Sequence, residues 1–173
     1  NTVKQLAFKK IVMEIFSTIE NELIKHNLKI DSYDHTRPWG GFFVIKEEDA
    51  ERFYNIYFDG FDVDILRKAG KLSPKILLVK PKARLSWQYH HRRAETWRVI
   101  IGPVGVIKSF DDEQKAMVTY QNGDTITLKK GERHRLIGLD GWGVIAEFWQ
   151  HTDAMSPSNE NDIVRLQDDY ARE

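Results

Sequence analysis

The sequence predicts a mainly β protein, an antiparallel sandwich or barrel preceded by helices. Three observations carry this. From Lys75 onward, short apolar or alternating runs arrive about every eight to twelve residues. Turn signals separate most of them: Gly102-Pro103, Asp111-Asp112, Asn122-Gly123, Gly131 and Asp140-Gly141. Ahead of them lies one long stretch whose apolar residues recur at helical steps.

Val3 to His26 reads as a helix. Leu6, Ile11, Val12, Ile15, Phe16, Ile19, Leu23 and Ile24 recur at mostly three- and four-residue steps, with Lys9, Lys10, Glu14 and Glu20 between them. Asn27 is a plausible stop. An Ile11, Ile15, Ile19 stripe is expected to pack on the barrel, with a second subunit, making a homodimer, as the alternative cover. Asp31 to Gly41 is turn-rich, because Pro38, Gly40 and Gly41 argue against regular structure. Glu47 to Tyr57 fits a short amphipathic helix, with Ala50, Phe53 and Ile56 or Tyr57 on one face. Asp59 to Ser73 is ambiguous, with a helical turn expected at Asp64 to Lys68. Strands are expected at Ile76–Lys80, Ala83–His90, Glu95–Ile101, Gly105–Phe110, Met117–Tyr120, Thr125–Leu128, His134–Ile137 and Val144–Trp149. Met155 to Asn161 is a polar loop, and Asp162 to Ala171 is a closing segment for which a helix is one option. The division is thus an N-terminal extension, 1–73, packed on a barrel, 74–173, in one compact unit.

Composition removes several function classes. The 173 residues carry 26 basic and 26 acidic side chains, so no overall field draws in nucleic acid or an anionic membrane. An anion site must be a local cluster. There is no cysteine, which excludes disulfides, thiol catalysis and zinc–thiolate centres. No apolar run approaches the ~20 residues that span a bilayer. No signal core is visible, and a cytoplasmic protein is expected.

Four side chains stand at metal-ligand spacing. Gln88 and His90 are two apart, so on a strand they share a face. Glu95 follows across a turn, at the head of the next apolar run, and can return to the same interior. His134 comes later, after Gly131. Neutral nitrogen with oxygen ligands suits a divalent first-row metal. The same alternation turns Ser86 and Arg84 inward, and Leu85, Trp87 and Tyr89 outward. Inward His134 carries Leu136 with it and sends Arg133 and Arg135 outward or to the rim. Glu147 shares a face with Ile145 and Trp149, and an inward carboxylate near a metal is a candidate acid–base group. Its plainer role would be to orient a ligand histidine. His26, His35 and His151 have no partner at ligand spacing and are expected to be solvated; His91 is expected to be superficial or structural.

These motifs carry a resemblance. His90-x-x-x-x-Glu95 with Gly102, preceded by Gln88 in place of a first His, resembles the first motif of the cupin superfamily. Gly123, Gly131 and His134 resemble the second, with Lys129 where Pro is usual. Arg37-Pro38-Trp39-Gly40, Leu85 to His90, Arg93 to Trp97 and Asn161 to Tyr170 narrow the resemblance to type II phosphomannose isomerases. It implies a double-stranded β-helix, the cupin jelly-roll barrel. It also implies a divalent ion, zinc first, held by Gln88, His90, Glu95 and His134. The implied activity is aldose–ketose isomerisation of mannose 6-phosphate through an enediol. Glu147 and Arg93 would be catalytic, and Arg84, Arg37 and Arg135 would bind the sugar phosphate. For Arg37 and Trp39, core filling stays open beside a place at the barrel mouth. Departures from the family lie at Arg92 and Thr96, where His is common, and at Lys82, where Gly is common. They leave two alternatives open: a metal- and sugar-binding cupin without turnover, and an isomerase or epimerase of another sugar.

Overall fold

The structure, a computed structural model, describes residues 2–62, 64 and 70–172, and of Phe8, Ile11 and Val12 the backbone only. The Ile11 side chain and the helical turn expected beyond Asp64 therefore lie outside the described residues. The elements in chain order are α1 (Thr2–Lys25), β1 (Ile30–Arg37), β2 (Gly40–Ile45), α2 (Ala50–Tyr57) and β3 (Lys75–Val79), then β4 (Trp87–Tyr89), β5 (Arg93–Ile101), β6 (Val104–Ser109) and β7 (Val118–Tyr120), and finally β8 (Thr125–Leu128), β9 (Arg133–Gly138), β10 (Gly143–His151) and β11 (Val164–Gln167). A single 3-10 turn, Glu47–Asp49, leads into α2. The strands form two antiparallel sheets, ordered β1-β2-β3-β10-β5-β8 and β11-β4-β9-β6-β7.

Alternation along β3 and β10 builds two cores on opposite sides of one sheet. Ile76, Leu78, Val144, Ala146 and Phe148 pack outward against Phe16, Leu23, Phe53 and Tyr54 from the helices. Leu77, Val79 and Ile145 point inward and meet Val104, Val106 and Leu136 of the facing sheet. Strand β10 is consequently buried from Gly143 to Trp149. Helix α1 ends where expected. Asn27 turns left-handed at φ 57°, and Leu28 N–H reaches back to the Leu23 carbonyl. Its second half docks through Phe16, Ile19 and Leu23, while Val3, Leu6 and Met13 in the first half are exposed.

Three expectations about elements are corrected. Asp31 to Gly41 is not irregular. It is most of a hairpin that adds β1 and β2 to the sheet through β3, so the sheet crosses the 73/74 line. Gly40 stands there at φ 145°, where an added Cβ would lie 1.9 Å from the Leu78 carbonyl oxygen. The glycine permits close strand approach instead of breaking the strand. Ala83–His90 is extended but pairs as a strand only at Trp87–Tyr89, with Arg84 making an isolated bridge to Ile137. Lys82 at φ 63° turns the chain just before it. Asp162 to Ala171 holds no helix. Val164–Gln167 instead covers the edge of β4.

The docked half of α1 supplies a test. Phe16 is 2% exposed and stacks on His35 at 4.1 Å. Phe16→Ala should lower unfolding free energy by about 3–5 kcal/mol in a denaturant titration. A loss near zero would show that α1 does not contribute its apolar face to this core.

Candidate metal centre

His90 and His134 are aimed by backbone. His90 Nδ1 lies 2.7 Å from the Asp162 carbonyl, and His134 Nδ1 lies 3.0 Å from the Glu132 carbonyl. A carbonyl only accepts, so each Nδ1 carries the proton and each Nε2 presents a lone pair. Glu95 meets both lone pairs. Its Oε1 is 3.1 Å from His90 Nε2 and its Oε2 is 3.8 Å from His134 Nε2. All three residues are buried, and His134 Nε2 has no hydrogen-bond partner. Arg93 reaches Glu95 Oε1 at 3.4 Å and His90 Nε2 at 3.3 Å, which leaves the buried His134 Nε2 lone pair, turned on a carboxylate, as the one that a cation would satisfy. These ligand atoms all fall within 4.8 Å of one another, a group able to hold a metal ion.

The electrostatics agree with that role. Burial, with like charge from the neighbouring His90 and Arg93, pushes the His134 imidazole down to about 4, so it is neutral and free to donate a lone pair. Burial opposes ionisation of Glu95, but His90, Arg93 and His134 outweigh it and hold the carboxyl well below its usual range. Glu147 behaves oppositely. Burial, reinforced by the Glu95 charge, pushes it up to about 8, despite Lys75, Arg93 and a 2.6 Å hydrogen bond from Trp149 Nε1. Two carboxylates in one cavity thus sit on opposite sides of neutrality.

Local sequence explains this convergence. Gln88 pairs directly with His134 across β4 and β9. Glu95 pairs with Trp149, and Glu147 pairs with both Lys75 and Trp97, so these side chains share the inner face. Gly131, left-handed at φ 77°, donates its N–H to the His90 carbonyl and ties the two ligand turns together. Asp162 clamps the first turn. Its carboxylate accepts from His91 N, Arg92 N and Ser158 Oγ, at 2.9, 3.0 and 2.6 Å. Burial opposes its ionisation, yet these bonds prevail and hold it at about 2.

The other expected residues fall as follows. Gln88 lines the cavity, its Oε1 accepting from Ser86 Oγ at 2.6 Å. Arg37 lines it too, from the open side, paired with Asp34 at 3.0 Å. Arg93 lies against the histidine–glutamate group but is held by protein. It stacks 3.6 Å over Trp149, donates to Ser158 Oγ and the Asn159 carbonyl, and approaches His90 Nε2 to 3.3 Å. It braces Glu95 and the fold, so its removal costs stability as well as chemistry. Two placements are corrected. Arg84 does not point inward: β4 begins only at Trp87, so alternation does not reach it, and its guanidinium grips Asp169 at 2.7 and 2.9 Å. Arg135 lines the cavity but is fully buried, not at a rim, with donors on the Leu85 carbonyl, Gln114 and Gln167. Two histidines are also corrected. His35 stacks between Phe16 and Tyr33, and His151 Nε2 lies 3.0 Å from Ser73 Oγ. His151 Nδ1 accepts from Ser158 N–H, so in the neutral ring Nε2 keeps the proton and is no base for Ser73. Residues not anticipated from spacing are Asp162, Lys75, Glu160, Arg165 and Arg172, the last four of which line the cavity. For Asp162 spacing gives no signal, because its clamp bridges 71 positions; its place in the Asn161 to Tyr170 motif is the one pointer to it.

Among the described residues no helix is long and apolar enough to cross a membrane. The fold resembles known cupin-like proteins. The capsular polysaccharide assembling protein CapF from Staphylococcus aureus superposes with TM-score 0.52 at 15% identity, over 81% of this chain and 32% of that one. Vicilin from Corylus avellana superposes with TM-score 0.53 at 15% identity, over 80% and 36%. At these identities the likeness speaks for the fold alone. In sequence, the chain is 29% identical over 164 residues to the alginate biosynthesis protein AlgA of Pseudomonas aeruginosa, covering 91% of this chain and 31% of AlgA. It is 28% identical to the xanthan biosynthesis protein XanB of Xanthomonas campestris pv. campestris, covering 95% of this chain and 28% of XanB. The chain thus spans under a third of the length of these relatives. Residues 25–168 match the family model described as mannose-6-phosphate isomerase C-terminal, and on that match the chain belongs to this family.

Proposed function

We propose that the protein is a divalent-metal-dependent sugar-phosphate isomerase, interconverting mannose 6-phosphate and fructose 6-phosphate. One observation supports this above the rest: the two Nε2 lone pairs turned on the Glu95 carboxylate, in the cavity that Glu147 also lines. His90, Glu95 and His134 would hold the ion, with Gln88 as the fourth ligand and zinc as the first ion to test. A bound ion would supply Lewis acidity to substrate oxygens, worth several kcal/mol. The chain's own groups do the remainder. Glu147, perched at about 8, is largely protonated at neutral pH; its ionised form accepts the proton from C2 and returns it to C1. Trp149 Nε1 holds one oxygen of that carboxyl and fixes its direction. Arg93 keeps Glu95 turned to the histidines. The second reading is a metal- and sugar-binding protein without turnover. The Arg93 guanidinium, 3.3 Å from His90 Nε2, competes with an ion for that lone pair and bears on metal loading in both readings.

Metal analysis with a coupled isomerase assay over hexose and pentose phosphates separates these readings. His134→Ala should abolish stoichiometric metal and leave circular dichroism intact; full occupancy in that variant would sink the ligand assignment. Glu147→Gln keeps shape and hydrogen bonding. It should retain metal yet slow solvent exchange of the C2 proton by about 10²–10⁴-fold. Exchange at the wild-type rate would remove Glu147 from the chemistry.

Asp162 gives a pH-dependent prediction. Its folded value, about 2, lies below the ordinary ~3.9, so its stabilisation is complete above pH ~4 and drains away as pH falls towards 2. Asp162→Asn should melt below wild type at pH 7, and the gap should narrow between pH 4 and 2. An unchanged gap across that window would show the carboxylate is not the clamp.

A further inference from the structure

Helix α1 has a second face that the barrel does not cover. From Thr2 to Glu14 every described side chain is exposed. Val3, Leu6 and Met13 are 79%, 63% and 63% exposed, and Ile24, near the other end, is 59% exposed. These four lie in one row, with Lys10, Ser17 and Glu20 at the steps between. Steps that alternate between three and four residues are those of a two-helix seam. The row is distinct from the docked face of Phe16, Ile19 and Leu23. It turns towards the edge strand β1: Glu20 bears on His35, and His35 carries Tyr33, also 63% exposed, against its ring at 4.6 Å. A half-helix with no packed face is marginal in water, so this one calls for cover.

The charges along α1 identify that cover. Its first half, Thr2 to Met13, carries Lys4, Lys9 and Lys10 and no acid. Its second half, Glu14 to Ile24, carries Glu14, Glu20 and Glu22 and no base. The first turn holds no acid, although the helix dipole favours one there. A parallel partner of the same sequence would set Lys on Lys and Glu on Glu. An antiparallel one sets the basic half on the acidic half twice over, with the two dipoles opposed. We propose that the outward row of α1 is a homodimer interface, in which two copies of this chain pair α1 antiparallel about a two-fold axis at Met13. Met13 then meets its own copy, and Val3 meets Ile24 of the second copy. On the flanks Lys9 faces Glu20, and Lys10 faces Glu14. The 24 residues of α1 span about 36 Å. A contact of that length buries on the order of 1,000 Å² in total, at the low end for a specific interface, so the dimer dissociates on dilution. No residue of α1 lines the metal cavity, and the interface is independent of the isomerase reading.

The test is sedimentation velocity on the full chain over a dilution series. Wild type should pass from dimer to monomer as it is diluted. Lys9→Glu with Lys10→Glu, and separately Glu14→Lys with Glu20→Lys, should each weaken the dimer about tenfold or more, because every flanking pair becomes repulsive. Mixing the two variants in equal amounts should restore a dimer, a rescue that a folding defect in either would not show. Cross-linking reads the orientation. The chain has no cysteine, so a single introduced thiol can pair only with its own copy. Met13→Cys should oxidise to a covalent dimer, since the two-fold brings it within disulfide reach. Leu6→Cys, about 20 Å from its copy in the antiparallel pair, should not. A wild type that is monomeric at every concentration overturns the interface and leaves the row to another cover. So does a dimer indifferent to both sets of charge reversals, which must lie on another face. Equal cross-linking of both cysteine variants overturns the antiparallel pairing.

Discussion

Strand β10 is buried on both faces from Gly143 to Trp149, and the rest of the molecule is arranged around that burial. One face carries Val144, Ala146 and Phe148 to the helices. The other carries Ile145 into the barrel core and, further along, Glu147 and Trp149 into the cavity. A polar pair at the end of an apolar row is tolerated because the two satisfy each other through the Trp149 Nε1 hydrogen bond. Helices α1 and α2 are thus structural cover for the back of the same strand whose front bears the acid–base candidate. Damage to the helical side reaches the cavity through β10 without any contact between a helix and the metal group.

The sequence was legible where periodicity and short spacing carry the signal. Strands from Lys75 onward announce themselves because antiparallel runs alternate and Gly, Asn and Asp mark their turns. The spacing of Gln88, His90 and Glu95 was readable because the strand and turn fix where each side chain points. What could not be read depends on distant partners. Gly40 looks like a breaker until the Leu78 carbonyl is seen against it. Val164–Gln167 is a strand because β4 offers it an edge, which no local pattern reveals. Alternation carried past the end of β4 turns Arg84 inward, and alternation along β9 from His134 turns Arg135 outward. Their partners, Asp169 and the Leu85 carbonyl, lie 85 and 50 positions away.

The cavity mixes cations with its acids at every depth. Arg37, Lys75, Arg165 and Arg172 line it with Glu160, while its buried residues are Arg93 and Arg135 beside one carboxyl held well below its usual range by its neighbours and one pushed up by burial. A neutral chain attains this because its acids are used elsewhere as braces. Asp34 holds Arg37, Asp168 holds Arg172, and Asp169 holds Arg84. Net charge therefore says little about what this protein can attract. The relevant quantity is which side chains share a wall.

The orientation of His90 depends on a carbonyl 72 positions further along, and its turn on the carboxylate of that same residue. A chain emerging from the ribosome at about 5–20 residues per second reaches Asp162 several seconds after His90. Until Asp162 is made, the β4–β5 turn lacks the carbonyl that fixes the His90 tautomer and the carboxylate that takes the His91 and Arg92 N–H groups. The ligand geometry of His90 therefore cannot be set as its own strand emerges and waits on one distant aspartate.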